Sequence, residues 1–215
     1  MQLTSLFPVL DKLHAKHGDA GLASIYGAGQ VNSPKFMLMF MNPTARNIAS
    51  SKSWSGLRAP WLGTRHVWRL LARLGLFNDA PLLAQLDQLR PSEWTPGVCE
   101  QLYTSVASQS LYITNLAKCT QVDARPLSNS IFQDYLPSTQ DEILQVNPAK
   151  IISFGNQVSS VLLGKPISVS QYTHKGSEEL TINGKTFQVY PCYYPVGQGG
   201  RNIVKATERI EQIIV

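Results

Sequence analysis

Asn42, Trp61, Asn115 and Tyr194 are the residues through which this sequence could do chemistry. Asn42 follows the apolar run Lys35-Phe36-Met37-Leu38-Met39-Phe40-Met41 and is locked by Pro43. A side-chain amide there can orient a water but is no strong base, and Asn-Pro is also a common turn pair. Trp61 lies in the loop Ala59-Pro60-Trp61-Leu62-Gly63. It could stack on a planar base, worth ~1–3 kcal/mol per base, or anchor the long loop in the core. Asn115 ends the run Leu111-Tyr112-Ile113-Thr114-Asn115. Its amide carries donor and acceptor together, as the hydrogen-bonding edge of a planar base requires, and a plain loop cap would also use it. Tyr194 opens Tyr194-Pro195-Val196-Gly197-Gln198-Gly199-Gly200-Arg201-Asn202. Glycines ahead of a helix start allow close approach to an anion, and a flexible turn is the plainer reading.

These residues need elements to carry them. Apolar spacing predicts a helix over 3–17 stopped by Gly18, a doubly buried strand over 35–41, and a long polar stretch over 47–63. A basic amphipathic helix covers 66–75, with Val67, Leu70, Leu71 and Leu74 on one side and Arg65, Arg69 and Arg73 on the other. Helices are expected over 81–89 and from Thr95-Pro96 to Val106, a strand over 111–115, and a helix over 130–146 closed by Pro148. A strand over 150–155 leads into a helix over 156–163. Asn183-Gly184 joins a hairpin of 180–182 and 186–190. Pro191 to Gly200 reads as a loop, and Arg201 to Val215 as the last helix. Strands alternating with helices imply a three-layer α/β/α fold around a short, mostly parallel sheet, with ligands beyond the carboxyl ends of the strands.

The chain has 215 residues, enough for one core, and a single domain over 1–215 is expected. Hydrophobic residues at 43% and charged residues at 15% exclude a disordered chain. The net charge of +5 and a pI near 9.2 favour a nucleic-acid partner only weakly. No start resembling a secretory leader and no membrane-spanning apolar run is seen, so a cytoplasmic protein is expected. Cys99, Cys119 and Cys192 are too scattered for a disulfide framework or a metal knuckle and are expected to be reduced thiols.

Each segment is ordinary alone; their order and spacing resemble the uracil-DNA glycosylase superfamily from Phe36 to the C-terminus. Met41-Asn42-Pro43-Thr44 is similar to the strand-end motif of the mismatch-specific and single-strand-selective branches. Gly56-Leu57-Arg58-Ala59-Pro60-Trp61-Leu62-Gly63 resembles the iron–sulfur branch, where an aromatic after Pro stacks on uracil. Ile113-Thr114-Asn115-Leu116-Ala117-Lys118-Cys119 and Asn147 to Gly155 resemble two further segments of that branch. Two departures stand out. Cys119 falls on one cluster position, but Tyr135 replaces another and the N-terminal pair is absent, so no metal and no cofactor are expected. Tyr194 stands where the second motif carries His.

The resemblance implies a DNA glycosylase that flips a damaged base out of single- or double-stranded DNA, acting as a monomer. Trp61 would stack on the base, Asn115 would read its edge, and Asn42 would position the attacking water. Backbone N–H groups at Thr44 and Ala45 would receive a base carbonyl, and Tyr194 would donate to the leaving base. Arg46, Lys52, Arg58 and Arg65 would hold phosphates, while Gln198 and Arg201 would enter the groove. Two other readings stand beside it: a catalytically silent module that binds DNA or a damaged base, and a small-molecule hydrolase on the same fold.

Overall fold

The computed structural model describes residues 3–172 and 176–214, with residues 197–199 described by their backbone. Its centre is β2 (Phe36–Phe40), whose five residues are all buried. Phe36, Leu38 and Phe40 point into one hydrophobic cluster, and Met37 and Met39 into another. This two-residue alternation makes three layers, because a strand buried on both faces needs helices on both.

Around β2 stand β1 (Ala28–Gly29), β3 (Leu111–Asn115), β4 (Lys150–Phe154), β5 (Glu178–Ile182) and β6 (Lys185–Cys192). The sheet order is β1-β3-β2-β4-β6-β5. The inner four strands are parallel, and β1 and β5 close the edges antiparallel. From β2 the chain crosses to β3 on one side, then over β2 to β4 on the other. The order therefore reverses at β2, and its carboxyl end is the switch point at which open α/β sheets place ligands.

The first face is covered by α2 (Arg65–Arg73), α3 (Ala80–Gln88), α4 (Pro96–Ser108) and α7 (Ile203–Ile214). The second is covered by α1 (Phe7–His17), α5 (Asn129–Val146) and α6 (Asn156–Leu163). Local signals explain the ends. The Thr95 hydroxyl accepts from the Val98 N–H and caps α4. Asn147, at φ 54°, terminates α5 ahead of Pro148. Asn183 and Gly184, at φ 48° and 79°, make the primed hairpin turn.

Three expectations change. The two-residue β1 has no readable pattern, since Ala28 and Gly29 are strand only by pairing with Ile113 and Tyr112. Pro191 and Cys192 belong to β6 rather than to the following loop. Proline is tolerated there because β5 stops pairing at Val189, leaving no donor required on that side. Residues 197–202 form a 3-10 turn, so α7 begins at Ile203 and not at Arg201.

Cys99, Cys119 and Cys192 are all buried. Burial pushes the Cys99 and Cys192 thiols up to about 12 and raises that of Cys119. With almost no thiolate, none should react. Native protein at pH 8 is expected to remain unmodified by iodoacetamide in intact-mass spectra, and to take up one adduct on each cysteine once unfolded in guanidinium.

Candidate functional site

A cavity of about 570 Å³ opens at the carboxyl ends of β2 and β3, within the range of ligand sites. Its wall is built from 41–44, Arg46 and Asn47 after β2, Pro60, Trp61, Thr64 and His66 around the start of α2, Asn115, residues 122–126, and Tyr194 and Val196 after β6.

Phe40, the last residue of β2, organises the aromatic part. Trp61 meets its ring edge-on at 5.0 Å between centroids, Tyr194 does so at 6.0 Å, and Phe154 stacks on it at 4.6 Å. Trp61 has φ 63°, a left-handed conformation that a bulky side chain adopts at a cost of order 1–3 kcal/mol. The backbone is held there by its own carbonyl, which accepts from the Trp68 indole at 3.1 Å and from the Thr64 hydroxyl. The Trp61 indole N–H is buried without a partner. Such a doubly costly residue persists only where its surroundings over-determine it. Tyr194 makes no hydrogen bond with its hydroxyl among the described residues. Burial raises its phenol far above the usual range, so it is a neutral donor and not a base.

The amide side is anchored from below. Asn115 is Cα partner to Phe40 across β2 and β3 and is 2% exposed. Its side-chain amide has no partner among the described residues, and it faces the cavity. Its backbone carbonyl accepts from the Lys118 ammonium, which also donates to Thr114 Oγ1 at 2.8 Å and Glu142 Oε2 at 2.6 Å. Glu142 Oε1 in turn accepts from the Tyr112 and Thr114 hydroxyls. Lys118 and Glu142 are 1% and 4% exposed, so this ion pair is buried, and its hydrogen bonds are to protein groups.

Asn42 is half-buried, and its Nδ2 donates to the Pro43 carbonyl at 3.1 Å, leaving Oδ1 to the cavity. Thr44 lines the wall. Ala45 does not: its N–H donates to the Gln121 carbonyl at 2.8 Å, because residues 43–45 continue the sheet beside the segment after β3. It has no donor left for a base.

The cations divide. Arg46 is exposed at the cavity. Arg58 is not a phosphate clamp: its guanidinium donates to the carbonyls of Ala49, Ser51 and Trp54 and ties the polar loop together. Arg65 turns toward α3 and donates to the Asp87 carbonyl at 2.7 Å. Lys52 and Arg201 are exposed but lie outside the cavity wall. The side chain of Gln198 lies outside the described residues.

Three wall groups escaped sequence reasoning. His66 stands in the first turn of α2; burial first, then Arg46 and Arg69, lower its pKa and keep the imidazole neutral near pH 7. Asp123 and Arg125 form a bidentate pair at 2.8 Å, and that pairing takes the exposed Asp123 carboxyl down to about 2. A carboxylate is thus present, but both its oxygens are committed. Only His66 carried a usable signal, an imidazole at the helix start that closely follows a loop tryptophan.

The family model of the Uracil DNA glycosylase superfamily matches residues 26–209, from before β1 into α7. The chain belongs to the uracil-DNA glycosylase superfamily. No curated protein matches it. Membership carries a glycosylase-type function on DNA in general. The four-cysteine cluster of the iron–sulfur branch does not fit this donor set: Cys119 is buried against Tyr135, and among the described residues no three His, Cys, Asp or Glu gather as ligands. Among the described residues, no helix is long and apolar enough to cross a membrane.

The buried pair under Asn115 can be tested directly. Lys118→Met leaves Glu142 uncompensated and is expected to cost about 3–5 kcal/mol in urea unfolding. Adding Glu142→Leu should recover at least half of that loss.

Proposed function

We propose that this superfamily member hydrolyses the N-glycosidic bond of uracil or a related deaminated base extruded from DNA, as a single-domain monomer in base excision repair. The observation that carries the reading is the unpartnered amide of Asn115 on the floor of a cavity walled by Trp61. The amide meets the cavity with both its donor and its acceptor uncommitted among the described residues, and the edge of a flipped base supplies a partner for each. Trp61 stacks on that base, contributing ~1–3 kcal/mol against an extrusion cost of a few kcal/mol.

Cleavage leaves positive charge on the sugar and negative charge on the departing base. Donors placed at the developing anion then supply most of the rate. Tyr194 presents a neutral hydroxyl to the base, and the Thr44 N–H receives a base carbonyl. Asn42 turns its free Oδ1 to the attacking water. Asp123 does not replace a missing general base, since Arg125 holds it. Arg46 at the mouth meets a phosphate.

That commitment of Asp123, with a Tyr194 phenol that keeps its proton, also favours a second reading: a silent member that holds a damaged base without releasing it.

End-labelled oligonucleotides carrying uracil, hypoxanthine or xanthine, single-stranded and mispaired, separate the two. Alkali-labile sites are expected with the parent protein, falling by about 10²-fold or more in Asn115→Ala and in Asn42→Ala. Tight, salt-dependent binding without such sites would establish the silent reading.

A further inference from the structure

His66 is the one imidazole in the cavity wall among the described residues, and the chemistry above does not use it. Its ring makes no hydrogen bond among the described residues, so both nitrogens are available to a ligand. It stands in the first turn of α2, separated from Trp61 by Leu62, Gly63, Thr64 and Arg65. The Trp61 carbonyl is fixed by Thr64 and Trp68, which lie on either side of His66 in the chain. The stacking ring and the imidazole are therefore held by one local structure.

We infer that His66 contacts the departing base and donates an N–H to the negative charge that develops on it, from an element different from the one that carries Tyr194. This rests on the glycosylase reading above. In the step, the C1′–N bond breaks with both electrons leaving on the base. The water oxygen bonds to C1′, its released proton passes to solvent, and the base anion is later protonated from solvent. His66 stabilises the anion and is regenerated unchanged.

The charges around His66 give it a signature in pH. Arg46 faces it from the loop after β2 and Arg69 from the next turn of α2, while Asp123, Arg125 and Tyr194 line the same cavity. Arg69 and Asp123 are already paired, with Asp87 and Arg125. The imidazole is neutral near pH 7 and gains a proton as pH falls. The imidazolium is the stronger donor, so base release should quicken through the acid side of about pH 5–8.

The test is single-turnover base release against pH for the parent, His66→Gln and Tyr194→Phe. Alongside it, the His66 Cε1 proton is followed by NMR on adding duplex with 2′-fluoro-2′-deoxyuridine, whose fluorine resists cleavage, or abasic duplex. His66→Gln is expected to slow release about 10-fold, below the full worth of an enclosed oxyanion donor. It should also flatten the acid-side rise, which Tyr194→Phe keeps. The resonance should move with the fluorinated duplex and not with the abasic one. Release by the parent with a His66→Gln profile parallel to it overturns the assignment of His66 alone. No release from any substrate overturns the glycosylase reading and this inference with it.

Discussion

The site depends on a lysine and a glutamate that are buried against each other. Removing either Lys118 or Glu142 would leave the other as a buried charge with no counter-charge, which costs several kcal/mol. Their partners are therefore part of the arrangement: Tyr112 and Thr114 on β3, and the Asn115 carbonyl at its end. That geometry fixes the exit of β3. From there Leu116 and Ala117 donate to the Phe40 and Met41 carbonyls, Gln121 donates to Pro43, and Ala45 donates back to Gln121. The two loops at the switch point are thus zipped together beyond the ends of their strands. Asn42, Thr44 and Asn115 are held by backbone rather than by each other, which leaves Asn42 Oδ1 and the Asn115 amide for a ligand.

The opposite wall is stabilised differently. Phe40 offers its ring to Trp61 and Tyr194, and the Trp61 backbone is kept in a left-handed conformation by donors from Thr64 and Trp68. Such strain needs support from elsewhere, and the core cluster against which Trp61 packs supplies it. One wall is polar and anchored by a charge pair; the other is aromatic and held under strain. A planar base with a hydrogen-bonding edge matches both.

Much of this could be read from the sequence because it is local. Buried alternation in 36–40, the Thr95 cap and the Asn183-Gly184 turn each follow from a few adjacent residues, and so does the placement of Asn42 and Asn115 at strand ends. What could not be read depends on distant partners. Nothing near Arg58 in sequence says that three carbonyls will absorb it, and nothing near Arg65 points to the Asp87 carbonyl. Ala45 loses its donor to Gln121, a pairing between the loop after β2 and the segment after β3 that are far apart in the chain. Nothing near Lys118 in sequence points to Glu142, which another element brings against it. Cations were the least legible class because a guanidinium serves phosphate and carbonyl equally well.

On the proposed function, an extruded base occupies this cavity between Trp61 and Asn115. The most direct measurement is a crystal structure with duplex DNA carrying a non-cleavable deoxyuridine analogue. The base is expected out of the helix, its ring against the Trp61 indole and its edge hydrogen-bonded to the Asn115 amide. A base that stays stacked in the duplex, or sits elsewhere on the protein with Asn115 still unpartnered, would contradict it.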